Sequence, residues 1–120
     1  MPNPVIRWQI ISPAPDQAAA FYQKLFSWNL SQANSMGYRE LTSGAAKGAD
    51  GGVWPAPPGQ LGFVQLFIEV ESVDDTVEQA TQLGARVIIP KSALPDGDTM
   101  AVLLDPTGLT FGVCQPAPKS

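Results

Sequence analysis

Residues 6–28 read IRWQIISPAPDQAAAFYQKLFSW. The stretch changes its period half-way. Val5 to Ile11 is apolar and β-prone, so it reads as a strand, which Pro13 and Pro15 end. Pro15 suits a first helical position, where its missing N–H has no partner to lose. Ala18, Phe21, Tyr22 and Leu25 then recur at i, i+3, i+4 and i+7, which predicts an amphipathic helix over 15–26.

The same order returns later in the chain. Short strands are predicted at about 28–33, 37–42 and 50–54, with Gly37, Gly44 and Gly51-Gly52 between and within them. GGVWPAPPGQLG (51–62) is the strongest break and suits a stiff, extended linker. Gly62 to Val70 is a strand in which Val64, Leu66, Ile68 and Val70 share one face and Gln65, Phe67 and Glu69 the other. Ser72 caps a helix, with Asp75 three residues on as a short-armed capping box. Val73, Val77, Ala80 and Leu83 form its apolar stripe, and Gly84 stops it. Arg86–Pro90 is a strand, Lys91 to Thr99 a loop, and LLDPTGLTFGVCQ (103–115) a closing hairpin. The order β-α-β-β-β, linker, β-α-β-β, with one strand of the second half open, points to an internal duplication. A shift of 58 lays Arg7 on Gln65, Asp16 on Asp74 and Leu25 on Leu83, and a shift of 60 lays Gly52 on Gly112.

A chain of 120 residues fits one compact domain with a core of its own. The single cysteine excludes an internal disulfide and fits a reducing compartment. With no histidine, a Cys–His pair is impossible, and Cys114 reads as a small buried residue. A net charge of −4 without a basic patch argues against nucleic acid. MPNPVIRWQ has no apolar signal core, and no apolar run reaches the roughly 20 residues that span a bilayer. A soluble cytoplasmic protein is expected.

These motifs resemble the vicinal oxygen chelate superfamily, which includes glyoxalase I, extradiol dioxygenases, fosfomycin-modifying enzymes and bleomycin-binding resistance proteins. IRWQIISPAPDQAAAFYQKLFSW resembles its opening strand, Asp-containing turn and helix. FIEVESVDDTVEQATQLGARVIIP (67–90) resembles its second module, and LLDPTGLTFGVCQ its closing hairpin. The resemblance covers nearly the whole chain. It implies an α+β fold of two βαβββ modules in tandem, curled around a cup, with the helices outside. Residues 1–120 then form one domain: module 1 at about 4–55, a linker at 56–61 and module 2 at about 62–116. The resemblance also implies a homodimer.

Strand phase then assigns faces. Arg7, Gln9 and Ile11 should look into the cup, with Trp8 and Ile10 against the helix. Gln65, Phe67 and Glu69 should look inward, and Val64, Leu66, Ile68 and Val70 toward the second helix. In the last strand Leu109, Phe111 and Val113 should pack on a helix while Thr110, Gly112 and Cys114 face the cavity. The resemblance places the metal ligands of metal-dependent members at Arg7, roughly Gly52, Gln65 and Gly112. Arg7 is a permanent cation, the glycines have no side chain, and Gln65 offers one neutral oxygen. A displaced set of Gln65, Glu69 and Glu40 is an alternative for Mg²⁺ or Mn²⁺. Arg7 is read either as a receiver of an anion or as an ion-pair partner of Glu69 or Glu40. Phe67, Trp54 and Trp28 are read as ligand-stacking or core residues, and Asp96 and Asp98 as a solvated turn.

Three functions stay in view. The first is a metal-free small-molecule-binding protein with Arg7, Gln9, Gln65, Phe67 and Glu69 around the ligand, no cofactor and no metal. The second is an enzyme of the superfamily with displaced metal ligands or carboxylate catalysis at Glu69. The third is a scaffold whose cup has become core. The dismantled ligand set tilts the reading away from an enzyme.

Overall fold

The structure is a computed structural model and describes residues 2–118. The elements are β1 (Val5–Ser12), α1 (Pro15–Phe26), β2 (Asn29–Leu30), β3 (Arg39–Thr42), β4 (Gly51–Pro55), β5 (Phe63–Glu69), α2 (Val73–Gln82), β6 (Arg86–Ala93), β7 (Thr99–Leu104) and β8 (Thr110–Gln115). Each half is therefore a full βαβββ module, and the strand left open in the second half is β7. The fold is of the α+β class with two modules in tandem.

Two compact units divide the chain: Ile6–Gln65, and the residues from Leu66 onward joined by those before Ile6. In the first, the strand order is β2-β3-β4-β1, with β1 and β4 parallel and the other pairs antiparallel. In the second it is β5-β8-β7-β6, with β5 and β8 parallel and the rest antiparallel. The plan repeats: in each, the module's first strand lies beside its last.

α1 begins with Pro15 at its first position and no side-chain cap, and ends at Ser27 in the left-handed conformation (φ 58°). Its core face is Ala18, Ala19 and Tyr22, which pack with Trp8, Ile10, Leu41, Val53, Trp28 and Leu30. Phe21 and Leu25, expected on that stripe, are exposed. The two small alanines let the helix lie close to the sheet, so the buried face is turned away from Phe21. α2 is capped by Ser72, whose Oγ accepts from the Asp75 N–H at 3.1 Å. Val73 and Val77 pack with Ile68, Val70, Ala101, Phe111 and Val113.

The structure corrects several expected boundaries and faces. β2 has two residues, not six. Past it, Asn34 Oδ1 accepts from the Met36 and Tyr38 N–H groups, a side-chain-held turn beside which only scattered backbone bonds such as Asn34 N–H to the Tyr38 carbonyl remain. β6 continues through Lys91–Ala93, and the expected loop shrinks to a turn in which the Leu94 N–H donates to the Asp98 carbonyl at 2.8 Å. Val64 and Leu66 are exposed, and Ile68 and Val70 alone of that face meet the α2 core. A ten-residue helix is only about 15 Å long, whereas a seven-residue strand runs about 23 Å. Leu109 belongs to the hairpin turn and is exposed, as is Leu83 at the C-terminal cap of α2.

Candidate functional site

The face of the first unit away from α1 carries the polar residues. Alternation along β1 puts Arg7, Gln9 and Ile11 there, while Trp8 and Ile10 join the helix-side core, as the sequence phase predicts. On β3 the same rule brings Tyr38, Glu40 and Thr42 to this face, since Leu41 is in the core. Cross-strand register orders these side chains in rows. Glu40 pairs with Gly52, and Gly52 with Gln9. One step along, Thr42, Asp50 and Arg7 form the next row. One step the other way, Tyr38, Trp54 and Ile11 form the third.

Gly52 is the gap in the middle row, and Tyr38 leans into it. Any Cβ at Gly52 would collide with the Tyr38 ring, and any Cβ at Gly51 would collide with Trp8 on the opposite face. The Gly51-Gly52 pair thus admits one aromatic ring on each side of β4. Tyr38 also packs against Trp54 in a tilted pair, with ring centroids 4.7 Å apart. Its hydroxyl accepts a hydrogen bond from the Arg7 guanidinium. Burial raises the Tyr38 pKa above the usual phenol value, against the opposing pull of Arg7 and with a smaller push from Glu40. The phenol is therefore a proton-bearing donor at neutral pH.

Beside this pair opens a pocket of about 250 Å³ lined by Ile6, Arg7, Tyr38, Glu40, Thr42, Asp50 and Gly51. Gln9 and Gln65 are the buried polar residues of the unit, 2% and 6% exposed. Gln65 Nε2 donates to Gln9 Oε1 at 2.8 Å. Gln65 Oε1 and Trp54 Nε1 are buried without a hydrogen-bond partner.

In the second unit the corresponding face is apolar apart from Glu69 at the end of β5. Phe67 pairs with Gly112 and Glu69 with Cys114 on β8, while Val102 and Met100 flank them on β7. Phe67 is 1% exposed, and its ring fills the space where a Gly112 side chain would stand. Cys114 is buried, with Sγ 3.7 Å from Asp98 Oδ2. Asp98 Oδ1 accepts from the Ala117 N–H at 2.7 Å. Asp98 is thus a half-buried anchor for the C-terminal segment, not the solvated turn residue expected; Asp96 does fit that reading.

Of the five residues expected around a ligand, Arg7, Gln9 and Gln65 lie in the first unit, and Phe67 and Glu69 in the second. Arg7 is joined to Tyr38 and Gln9 to Gln65, while Phe67 is packing against Gly112. Trp28 lies among Trp8, Tyr22 and Phe26 in the helix-side aromatic cluster and is core. Sequence reasoning missed Tyr38, Thr42 and Asp50. The alternation YRELT (38–42) carried the signal for the first two.

The family model for the glyoxalase-like domain matches residues 9–114. This chain belongs to the glyoxalase-like family. Within the vicinal oxygen chelate superfamily, this glyoxalase-like domain is 32% identical over 114 residues to the protein named "Putative glyoxylase CFP32" of Mycobacterium bovis. The match takes in 92% of the domain chain and 43% of that relative, so the chain spans less than half the relative's length. Among solved structures, hypothetical protein BH1468 of Bacillus halodurans superposes with a TM-score of 0.69 at 12% identity, over 100% of this chain and 99% of that one. Methylmalonyl-CoA epimerase of Mycobacterium tuberculosis superposes with a TM-score of 0.67 at 16% identity, over 93% and 87%. These two share the fold.

The metal that the superfamily implies does not fit the glyoxalase-like chain described here. Two of the four ligand positions are Gly52 and Gly112, and aromatic rings occupy the space beside both. A third is Arg7, a fixed cation. The fourth, Gln65, offers one neutral amide oxygen. Among the described residues, no three of Cys, Asp and Glu come together as a ligand set. A lone neutral oxygen is a poor site for a hard divalent ion.

Proposed function

We propose that this domain is a metal-free small-molecule-binding protein of the glyoxalase and bleomycin-resistance type. It holds its ligand on the polar face of the first module. The observation that carries this reading is the Arg7–Tyr38 pair: it occupies the ground of a metal site and borders a pocket of about 250 Å³. A guanidinium and a phenol are both donors, so together they suit an electron-rich group on a ligand. Outside the pocket lining, Gln65 Oε1 and Trp54 Nε1 are an acceptor and a donor buried in the same unit without a partner. Such groups call for a partner, whether water or ligand. In this reading Gln9 and Gln65 support the ligand.

The reading extends to assembly and setting. The curated relative is more than twice as long as its match to this chain. In this reading a second copy of the domain pairs with the first. Exposed apolar residues on α1 (Phe21, Leu25, Phe26) and β6 (Val87, Ile88, Ile89) offer surface for such a homodimer. No described helix is long and apolar enough to cross a membrane, and a lone buried thiol suits a cytoplasmic setting.

Two measurements test the proposal. Metal analysis of the purified protein should show no stoichiometric divalent ion; full occupancy would overturn the metal-free reading. A thermal-shift screen of small organic acids, amines and zwitterions should give hits that Arg7→Gln abolishes. A screen without hits would remove binding as the function.

A further inference from the structure

We infer that the pocket of the first module takes a small zwitterion of amino-acid type, with its carboxylate on Arg7 and Tyr38 and its ammonium toward Glu40 and Asp50. The inference rests on the binding function proposed above and narrows its ligand class.

The lining carries one guanidinium and two carboxylates within about 250 Å³. A ligand that was only an anion would meet Glu40 and Asp50 as well as Arg7. A ligand that was only a cation would meet Arg7. Unit charges of like sign at contact distance repel even at the partly screened dielectric of a protein surface. A molecule with both charges satisfies both sides of the lining. Asp50 and Arg7 line the same pocket, and Glu40 stands on β3, two strands from β1. Strands are about 4.8 Å apart, so the two ends of an α-amino acid fall within reach of these side chains.

The donor inventory agrees. Tyr38 oxygen accepts from Arg7, which leaves the hydroxyl proton to donate outward. Burial keeps that proton in place at neutral pH. On the other side, Asp50 Oδ1 accepts from the Ser43 N–H at 3.1 Å, which holds that carboxylate on the pocket wall. Thr42 adds a hydroxyl to the same wall. The pocket is smaller than the roughly 300–1,000 Å³ of drug-sized sites, which suits a ligand of amino-acid size.

The test uses the full chain and titration calorimetry with the twenty protein amino acids. The tightest binder is then compared with its N-acetyl and methyl-ester derivatives, which each lose one charge. The free amino acid should bind at least tenfold tighter than either derivative. Glu40→Gln should erase the preference over the N-acetyl form, and Arg7→Gln the preference over the ester, with circular dichroism confirming the fold. Arg7→Lys serves as a second variant that keeps the charge and loses the fork. Equal binding of the N-acetyl form overturns the zwitterion and leaves the binding function standing. Failure of all twenty at millimolar concentration also overturns it, and the wider acid and amine screen then decides the binding function separately.

Discussion

The two modules share a backbone plan and treat the same glycine in opposite ways. Gly52 lies beside Gln9 on the parallel strand, and Gly112 lies beside Phe67. In the second module Phe67 covers its own partner glycine, and Met100, Val102 and Cys114 complete an apolar, buried face. In the first, Gln9 cannot do this, so Tyr38 covers the glycine from the antiparallel side and brings a hydroxyl to Arg7. One ring ends in carbon and closes a core. The other ends in oxygen and borders a pocket. The missing metal ligands are thus packing residues in their own right. Under the proposed function, the first module's face binds and the second module's face packs.

Removing each ring breaks this comparison most directly. Phe67→Ala should lose about 3–5 kcal/mol in urea unfolding, the range for emptying a buried aromatic site. Tyr38→Phe keeps the ring over Gly52 and should lose only about 1 kcal/mol, the worth of one hydrogen bond. Its main effect should appear as weaker ligand binding. If Tyr38→Phe proves as damaging as Phe67→Ala, the division into pocket and core fails.

The glycines come next. Gly112→Ala and Gly52→Ala should each cost about 1–3 kcal/mol, because both force a buried ring to move. Trimming the ring should recover part of the loss: Gly112→Ala should be milder on a Phe67→Leu background, with a coupling of about 0.5–3 kcal/mol in a double-mutant cycle. A neutral Gly52→Ala would show that Tyr38 does not need the gap, and would reopen position 52 to a ligand side chain.

Much of this plan was legible in the sequence. The change from strand to helix period at Pro13–Pro15 placed β1 and α1, and phase along β1 separated Trp8 and Ile10 from Arg7 and Gln9. Less legible were features set by tertiary contact. Phe21 and Leu25 match a helical stripe as well as Ala19 does, and only the close approach of sheet and helix selects the alanines. Lys91 and Ser92 read as loop because they are polar, yet an edge strand tolerates polar residues on exposed faces. Gly52 and Gly112 could be recognised as empty positions, but which ring fills each depends on strands that pair across long sequence distances. For that reason Tyr38 escaped notice, although its alternation with Glu40 was visible.

Smaller effects should follow from how each module starts its helix. Ser72→Ala removes the cap on α2 and should cost about 1 kcal/mol. α1 has Ala14 at the corresponding place and no side-chain cap. Ala14→Ser should therefore stabilise the protein by a few tenths of a kcal/mol, about half the Ser72 effect or less. Equal losses from Ser72→Ala and Ala14→Ser would show that the two entrances are not comparable.

The smallest expected effect separates the two closing hairpins by their pH response. In the first module, Asp50 Oδ1 takes one N–H, from Ser43 at 3.1 Å. In the second, Asp105 Oδ1 takes the Thr107 hydroxyl and N–H, both at 2.7 Å, and the Leu109 N–H at 3.0 Å. These bonds, the Thr107 hydroxyl first, hold the Asp105 carboxyl below its usual pKa. A carboxyl with a depressed native pKa binds its proton more readily in the unfolded chain. Its stabilisation is present above the unfolded value of about 3.9 and fades as pH falls through the native value. Asp105→Asn keeps an oxygen acceptor and removes the titration. Unfolding midpoints of wild type and Asp105→Asn should therefore converge as pH falls from about 5 to 2, with the wild type more stable at the upper end. Parallel curves would mean that Asp105 holds its turn by geometry alone.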